Sequence, residues 1–180
     1  DGSNVRTITA NGGINKFPEW ASDNSKLVFV TLLPRKSRWE LWVQDLTGGR
    51  TVIPTPTSYV SSPELSPEGS RVIFSSRSLG KVDSDVFVSG LDGKKLRRLT
   101  NHRSIDTSPA WSPTGQQIAF VSDRSGTPQI WLIDIDGSNV QRLIDQGGHC
   151  DSPSWSPDGR YLIYSWQPPK GYKHDIFLLE

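Results

Sequence analysis

The sequence predicts an all-β chain, a propeller of short antiparallel sheets set side by side around an axis. Three observations carry this. First, Ser108-Pro109-Ala110-Trp111-Ser112-Pro113-Thr114-Gly115 returns as Ser152-Pro153-Ser154-Trp155-Ser156-Pro157-Asp158-Gly159. It also stands earlier as Ser62-Pro63-Glu64-Leu65-Ser66-Pro67-Glu68-Gly69, with a worn copy at Phe17-Pro18-Glu19-Trp20-Ala21-Ser22-Asp23-Asn24. Second, the leading prolines Pro18, Pro63, Pro109 and Pro153 are spaced by 45, 46 and 44 residues, the period of propeller blades. Third, no helical apolar period persists, whereas short apolar runs bounded by Gly, Pro and Asp recur throughout. One such unit cannot bury its own apolar face, so neighbouring copies must stack.

The third copy justifies the elements in order. Pro109 to Trp111 is short and apolar, suited to an innermost strand. Ser112 to Gly115 is a type I turn, because proline presets φ at its second position and glycine closes the fourth. Gln117 to Val121 alternates Ile118 and Phe120 and is the second strand. Ser122 to Pro128 is a polar loop, and Gln129 to Ile133 a third strand whose continuous apolar run predicts burial on both faces. Asp136-Gly137 turns the chain into a more polar fourth strand, Asn139 to Ile144. Four such strands make one blade. The positions of Ile118 and Phe120 are held by Leu27 and Phe29, Val72 and Phe74, and Leu162 and Tyr164. Trp131 aligns with Trp42, Phe87 and Phe177, and Trp111 with Trp20, Leu65 and Trp155. These columns are the expected core.

The single domain spans residues 1–180, with repeats at about 14–57, 58–103, 104–148 and 149–180 plus 1–10. The ends complement each other. Residues 1–8, Asp-Gly-Ser-Asn-Val-Arg-Thr-Ile, copy the turn and fourth strand of residues 136–143, and the chain stops after a third strand at Asp175 to Glu180. The expectation is four four-stranded blades, the last completed by the N-terminal strand, which would remove an open edge. Two copies could instead exchange ends in an eight-bladed ring, or the chain could be a fragment of a larger propeller.

Composition sets the class. The chain has 180 residues, enough for one sizeable core, and a net charge of +1, which gives no bulk attraction to nucleic acid or anionic lipid. No stretch reaches membrane-span length. The one cysteine, Cys150, has no partner within the chain. No signal peptide stands at the start, and a chain beginning at Asp1 reads as processed or trimmed, so any targeting segment falls outside it.

The quoted motifs resemble the TolB-type propeller repeat: Asp106 through Pro113, then Phe120-Val121-Ser122-Asp123-Arg124-Ser125-Gly126, then Leu96-Arg97-Arg98-Leu99-Thr100. That resemblance covers the whole chain. It implies a periplasmic or otherwise extracytoplasmic protein that binds partner proteins. Similar repeats gate prolyl-oligopeptidase-like peptidases and form some polysaccharide lyases, so an enzyme-associated or carbohydrate-processing propeller is the alternative.

Chemistry is sparse in the residues themselves. No Gly-x-Ser-x-Gly elbow is present. His149-Cys150-Asp151 are adjacent on an extended segment, where neighbouring side chains diverge and make no nucleophilic triad. No cofactor is expected. Asp106, Asp145 and Asp151 lie on loops entering the inner strands, beside His102 and His149, and could bring oxygen ligands together for calcium, without a fixed ligand spacing. The expected function is therefore a non-enzymatic protein- or peptide-binding scaffold. In a propeller the loops joining second to third strands share one face with the connections between blades. Here that face carries Arg35, Arg38, Trp39, Arg77, Lys81, Arg124, Trp166, Lys170 and Tyr172. Aromatics among cations are the usual material of a binding hot spot. Packing of Trp39 and Trp166 over blade seams is the competing reading of those two residues.

Overall fold

The computed structural model describes residues 3–77 and 80–180 and contains only strands and loops. Sheet one orders β1 (Ile14–Trp20), β2 (Lys26–Leu32), β3 (Glu40–Asp45) and β4 (Arg50–Ile53). Sheet two orders β5 (Tyr59–Leu65), β6 (Arg71–Arg77), β7 (Asp85–Gly90) and β8 (Arg97–Arg98). Sheet three orders β9 (Asp106–Trp111), β10 (Gln117–Ser122), β11 (Gln129–Asp134) and β12 (Gln141–Arg142). Sheet four holds β13 (His149–Trp155), β14 (Leu162–Gln167) and β15 (Asp175–Leu179). Every pairing within these sheets is antiparallel between consecutive strands.

Local chemistry explains the repeat. The Ser-Pro-x-Gly turns close with Gly69 N to Ser66 O at 2.8 Å, Gly115 N to Ser112 O at 2.9 Å and Gly159 N to Ser156 O at 2.9 Å. In the worn copy Asn24 takes the glycine's place at φ 58°, a left-handed conformation asparagine tolerates. Two lengths differ from expectation. The inner strand of sheet three begins at Asp106, because Asp106 and Thr107 still pair with Ser122 and Val121 beyond a bulge. Its outer strand is only Gln141–Arg142, since Leu143 and Ile144 both donate to the Ile130 carbonyl and the ladder ends there.

Alternation sends successive side chains into different seams. Val72 and Phe74 pack with Val28, Val30, Leu41 and Ile53 of sheet one, while Ile73, Val86 and Val88 pack with Trp111, Ile118 and Phe120 of sheet three. Ala119, Val121, Ile130 and Leu132 meet Cys150, Leu162 and Tyr164 of sheet four. Burying each large aliphatic or aromatic contributes about 1.5–3 kcal/mol. The core columns stand, with one exception. In sheets two to four the column residues pack against the preceding sheet; sheet one has none before it among the described residues, and there Leu27, Phe29 and Trp42 pack on one another while Trp20 is 55% exposed, against 3% for Trp111.

The ends do not meet as expected. Residues 3–13 form no strand, and sheet four keeps three strands among the described residues. The segment lies instead on sheet one: Gln44 Nε2 donates to the Ile8 carbonyl at 3.1 Å and Asn11 Nδ2 to Thr31 Oγ1 at 3.1 Å. Its hydrogen bonds fall on the sheet-one face that also carries the buried Leu27, Phe29 and Trp42. Asp1 and Gly2 of the copied motif lie outside the described residues.

Candidate functional site

The loops between second and third strands gather with the inter-sheet connections at one end, because each connection hydrogen-bonds the loop before it. Trp39 N donates to Ser58 O at 2.9 Å, Asp106 N to Ser84 O at 2.8 Å and Cys150 N to Pro128 O at 2.9 Å. This loop face holds the residues singled out above, in two different states.

Some are committed to the fold. Trp39 packs on the first seam and meets the Tyr59 ring edge-on at 6.2 Å, with Lys16 Nζ 5.6 Å from its centroid. Arg38 donates to Thr55 O at 3.0 Å, and Arg77 stacks 5.1 Å from the Tyr59 centroid. Arg124 is paired at 2.9 Å with the fully buried Asp106 and lies over the Trp131 ring at 4.9 Å. Trp166 donates its indole N–H to Gly147 O at 2.8 Å and packs on Phe177. Others stand free of the core. Lys81 borders a shallow cleft with Asp83 and Asp85. Arg35 sits at φ 65° in the loop after β2. Lys170 and Tyr172 belong to the insertion 168–174, where Tyr172 is 96% exposed. Trp39 on sheet one and Trp166 on sheet four do not converge, since those sheets are not adjacent.

The insertion frames a groove of about 230 Å³ between sheets three and four. Val121, Pro128 and Cys150 line it with His149, Asp151, Gln167 and His174. Its acids are engaged: Asp123 accepts from Ile105 N at 2.8 Å, and Asp151 accepts from Ser108 Oγ at 3.0 Å. Burial pushes the Cys150 thiol up to about 11, and its sulfur meets Gln129 Oε1 at 3.6 Å rather than His149. A neutral, buried thiol cannot act as a nucleophile at ordinary pH.

A second opening of about 600 Å³ runs between the inner strands. Phe17, Glu19, Glu64, Pro109, Asp151 and Pro153 are among its lining residues. Glu64 was missed by the sequence reading. Burial pushes its carboxyl up to about 7, against the lowering effect of the Trp111 N–H, and the nearby Glu19 raises it further. Glu19 is itself raised by burial. One signal was available: both glutamates occupy a repeat position that holds Ala110 and Ser154 in the later copies.

The metal candidates are dispersed. Asp106 is held by Arg124 and by Ser104 Oγ at 2.9 Å, and Asp145 by Arg142. His149 sits at the groove, and among the described residues no three His, Cys, Asp or Glu side chains cluster to hold a metal ion. On the opposite face Asp23, Asp92, Asp136 and Asp158 cap their own turns, as Asp136 does for Ser138 N at 2.8 Å. These bonds hold Asp23, Asp136 and Asp158 below the usual carboxylate range.

The family model described as the TolB beta propeller domain matches residues 1–176. A protein TolB homolog of Chlorobium luteolum is 31% identical over 145 residues, which is 74% of this chain and 30% of that protein. The Tol-Pal system protein TolB of Helicobacter hepaticus is 28% identical over 132 residues, covering 70% of this chain and 29% of its own length. The crystal structure of TolB from Acinetobacter baumannii superposes with a TM-score of 0.84 at 28% identity, over 99% of this chain and 44% of that one. The chain thus matches less than a third of these curated relatives and under half of the solved one.

Proposed function

Since the chain belongs to the TolB beta propeller domain family, we propose that it is a non-catalytic interaction unit that binds a protein or peptide on its loop face. The observation that carries this reading is the groove between sheets three and four, flanked by an insertion that presents Tyr172 to solvent. A tyrosine buries a large contact area at low entropic cost, and the adjacent Lys170 and Lys173 favour an acidic segment. The groove's size suits one or two partner side chains, so the rest of the contact would spread over the loops bearing Arg35 and Lys81. Arg38, Trp39, Arg77, Arg124 and Trp166 shape this face from beneath. The relatives' place in the Tol-Pal system supports an extracytoplasmic setting.

The enzyme-associated alternative would need reacting groups here, and the one thiol at the groove is neutral and bonded to an amide. The test places a photo-crosslinking amino acid at Lys170, or at Lys94 on the opposite face, in cells of the source organism. Crosslinking to one defined protein is expected at Lys170, with Tyr172→Ala cutting the yield about fivefold or more, as for a hot-spot residue. Equal capture from both faces, or indifference to Tyr172→Ala, would refute the reading.

A further inference from the structure

A site of another kind opens on the turn face, opposite the loop face and independent of the binding reading given there. A cavity of about 530 Å³ lies between the outer parts of sheets two and three, within the range of roughly 300–1,000 Å³ that small-molecule pockets occupy. Val88 and Leu91 of sheet two and Ile135 of sheet three give it apolar surface, and Arg71, Lys95 and Arg97 give it charge. Leu91 and Ile135 hold the same repeat position, each just past a third strand. Each is pinned by its backbone, Leu91 N donating to Ser70 O at 3.1 Å and Ile135 N to Gln116 O at 2.8 Å. The apolar wall is therefore preformed.

The three cations differ in how far their charge is compensated. Arg71 is paired with Glu68 at 2.7 Å. The one acid lining the cavity, Asp92, accepts from Lys94 N at 2.9 Å and has Lys94 Nζ 3.9 Å away. Among the described residues neither Lys95 nor Arg97 has an ion-pair partner. Arg97 reaches across the seam and donates to the carbonyls of Ile135 and Asp136. Carbonyl acceptors hold a guanidinium in place without cancelling its charge. Asp136 feels that charge, but its carboxylate bonds Ser138 N and Oγ. Lys95 sits at φ 58° in the turn before β8, exposed, with its ammonium bonded to nothing among the described residues.

We propose that this cavity binds a small apolar carboxylate, its hydrocarbon part seated on Val88, Leu91 and Ile135 and its carboxylate placed between Lys95 and Arg97. Such a ligand answers both halves of the lining. Its apolar part leaves water for a fixed apolar wall, and its anion meets one positioned and one free cation. An amine of the same shape would meet like charge, and a neutral analogue would cover the two cations without compensating them.

The test titrates the 180-residue chain, labelled for amide NMR, with naphthylacetate and separately with naphthylmethylamine, which keeps the ring and reverses the charge. Naphthylacetate should shift the amide signals of Leu91, Lys95 and Ile135 with a Kd of about 1 mM or tighter, and the amine should bind at least about tenfold more weakly. Lys95→Ala changes an exposed side chain outside the core and should weaken naphthylacetate about fivefold or more, while Lys95→Glu should abolish the preference for the carboxylate. The dispersion of the same amide spectrum shows that each variant is folded. Equal affinity for the two probes, shifts confined to other parts of the chain, no shift at millimolar naphthylacetate, or Lys95 variants that bind as the wild type does would each overturn the proposal.

Discussion

Trp111 is fastened to Glu64 twice: its backbone N–H donates to Glu64 Oε2 at 3.0 Å and its indole N–H to the Glu64 carbonyl at 3.3 Å. The two bonds join the inner strands of sheets two and three at the wall of the central opening. They also bury a carboxyl group that meets a hydrogen-bond donor but, among the described residues, no ion-pair partner, with Glu19 beside it.

This arrangement predicts a pH dependence. The Glu64 carboxyl moves from 4.5 to about 7 on folding, so between those values the folded chain holds a proton that the unfolded chain has lost. Stability is then fully present below about pH 4.5 and declines as pH rises through 7. One pKa unit corresponds to about 1.4 kcal/mol, and partial exposure of the group reduces the sum to roughly 2 kcal/mol. Glu64→Gln keeps an oxygen for the Trp111 N–H and cannot ionise. Urea denaturation at pH 5 and pH 8 should show the wild type losing stability at the higher pH and Glu64→Gln losing markedly less.

The tryptophan column should split energetically. Trp111 is packed among Ile73, Val86 and Ile118, with Arg71 stacked 4.8 Å from its ring centroid. Trp111→Ala removes that contact and should cost about 3–5 kcal/mol. Trp20 occupies the same repeat position in sheet one but is 55% exposed, so Trp20→Ala should stay within about 0.5 kcal/mol. Thermal melts of the two variants compare them directly, and equal losses would mean that something covers Trp20.

These contrasts mark what the sequence made legible. Period and turn chemistry place all four sheets, because Pro and Gly at fixed offsets permit few backbone paths, and alternation along the second strands assigns Phe29, Phe74 and Phe120 to the core. Two things escaped. The reading paired residues 1–8 with the last sheet because it matched strand types, whereas the path of the N-terminal segment depends on whether the sheets close, and that angle is not encoded in any local pattern. The division of the loop cations between core and surface escaped for a different reason. Cations on loops look alike in sequence, but Arg124 finds Asp106, from the start of the same repeat, and leaves the surface, while Tyr172 sits in an insertion without a repeat counterpart and stays exposed.

Arg124 therefore behaves as a structural residue. Its guanidinium is the cation paired with the buried Asp106, and it also bonds Ser122 Oγ at 2.9 Å. Arg124→Ala would leave Asp106 charged and buried without that partner, at a cost of about 3 kcal/mol or more. Tyr172→Ala on the same face should leave the melting temperature unchanged. If Arg124→Ala left stability intact and weakened only partner capture, Arg124 would belong to the binding surface after all.

The inner strands store strain at one repeated point. Phe17, Ser62, Ser108 and Ser152 all lie at φ between 48° and 54°, each directly before a proline and each at a bulge. A left-handed conformation costs an ordinary residue about 1 kcal/mol or more, and glycine adopts it without that cost. Position 62 separates the backbone effect most cleanly, because at position 108 the serine hydroxyl also bonds Asp151. Ser62→Gly should raise stability by up to about 1 kcal/mol, and Ser62→Val should lower it by about 1–2 kcal/mol, since a β-branched side chain fits this conformation worst. Guanidinium melts of both variants measure the pair, and the opposite order would show that the bulge at Ser62 relaxes in solution to a conformation with negative φ.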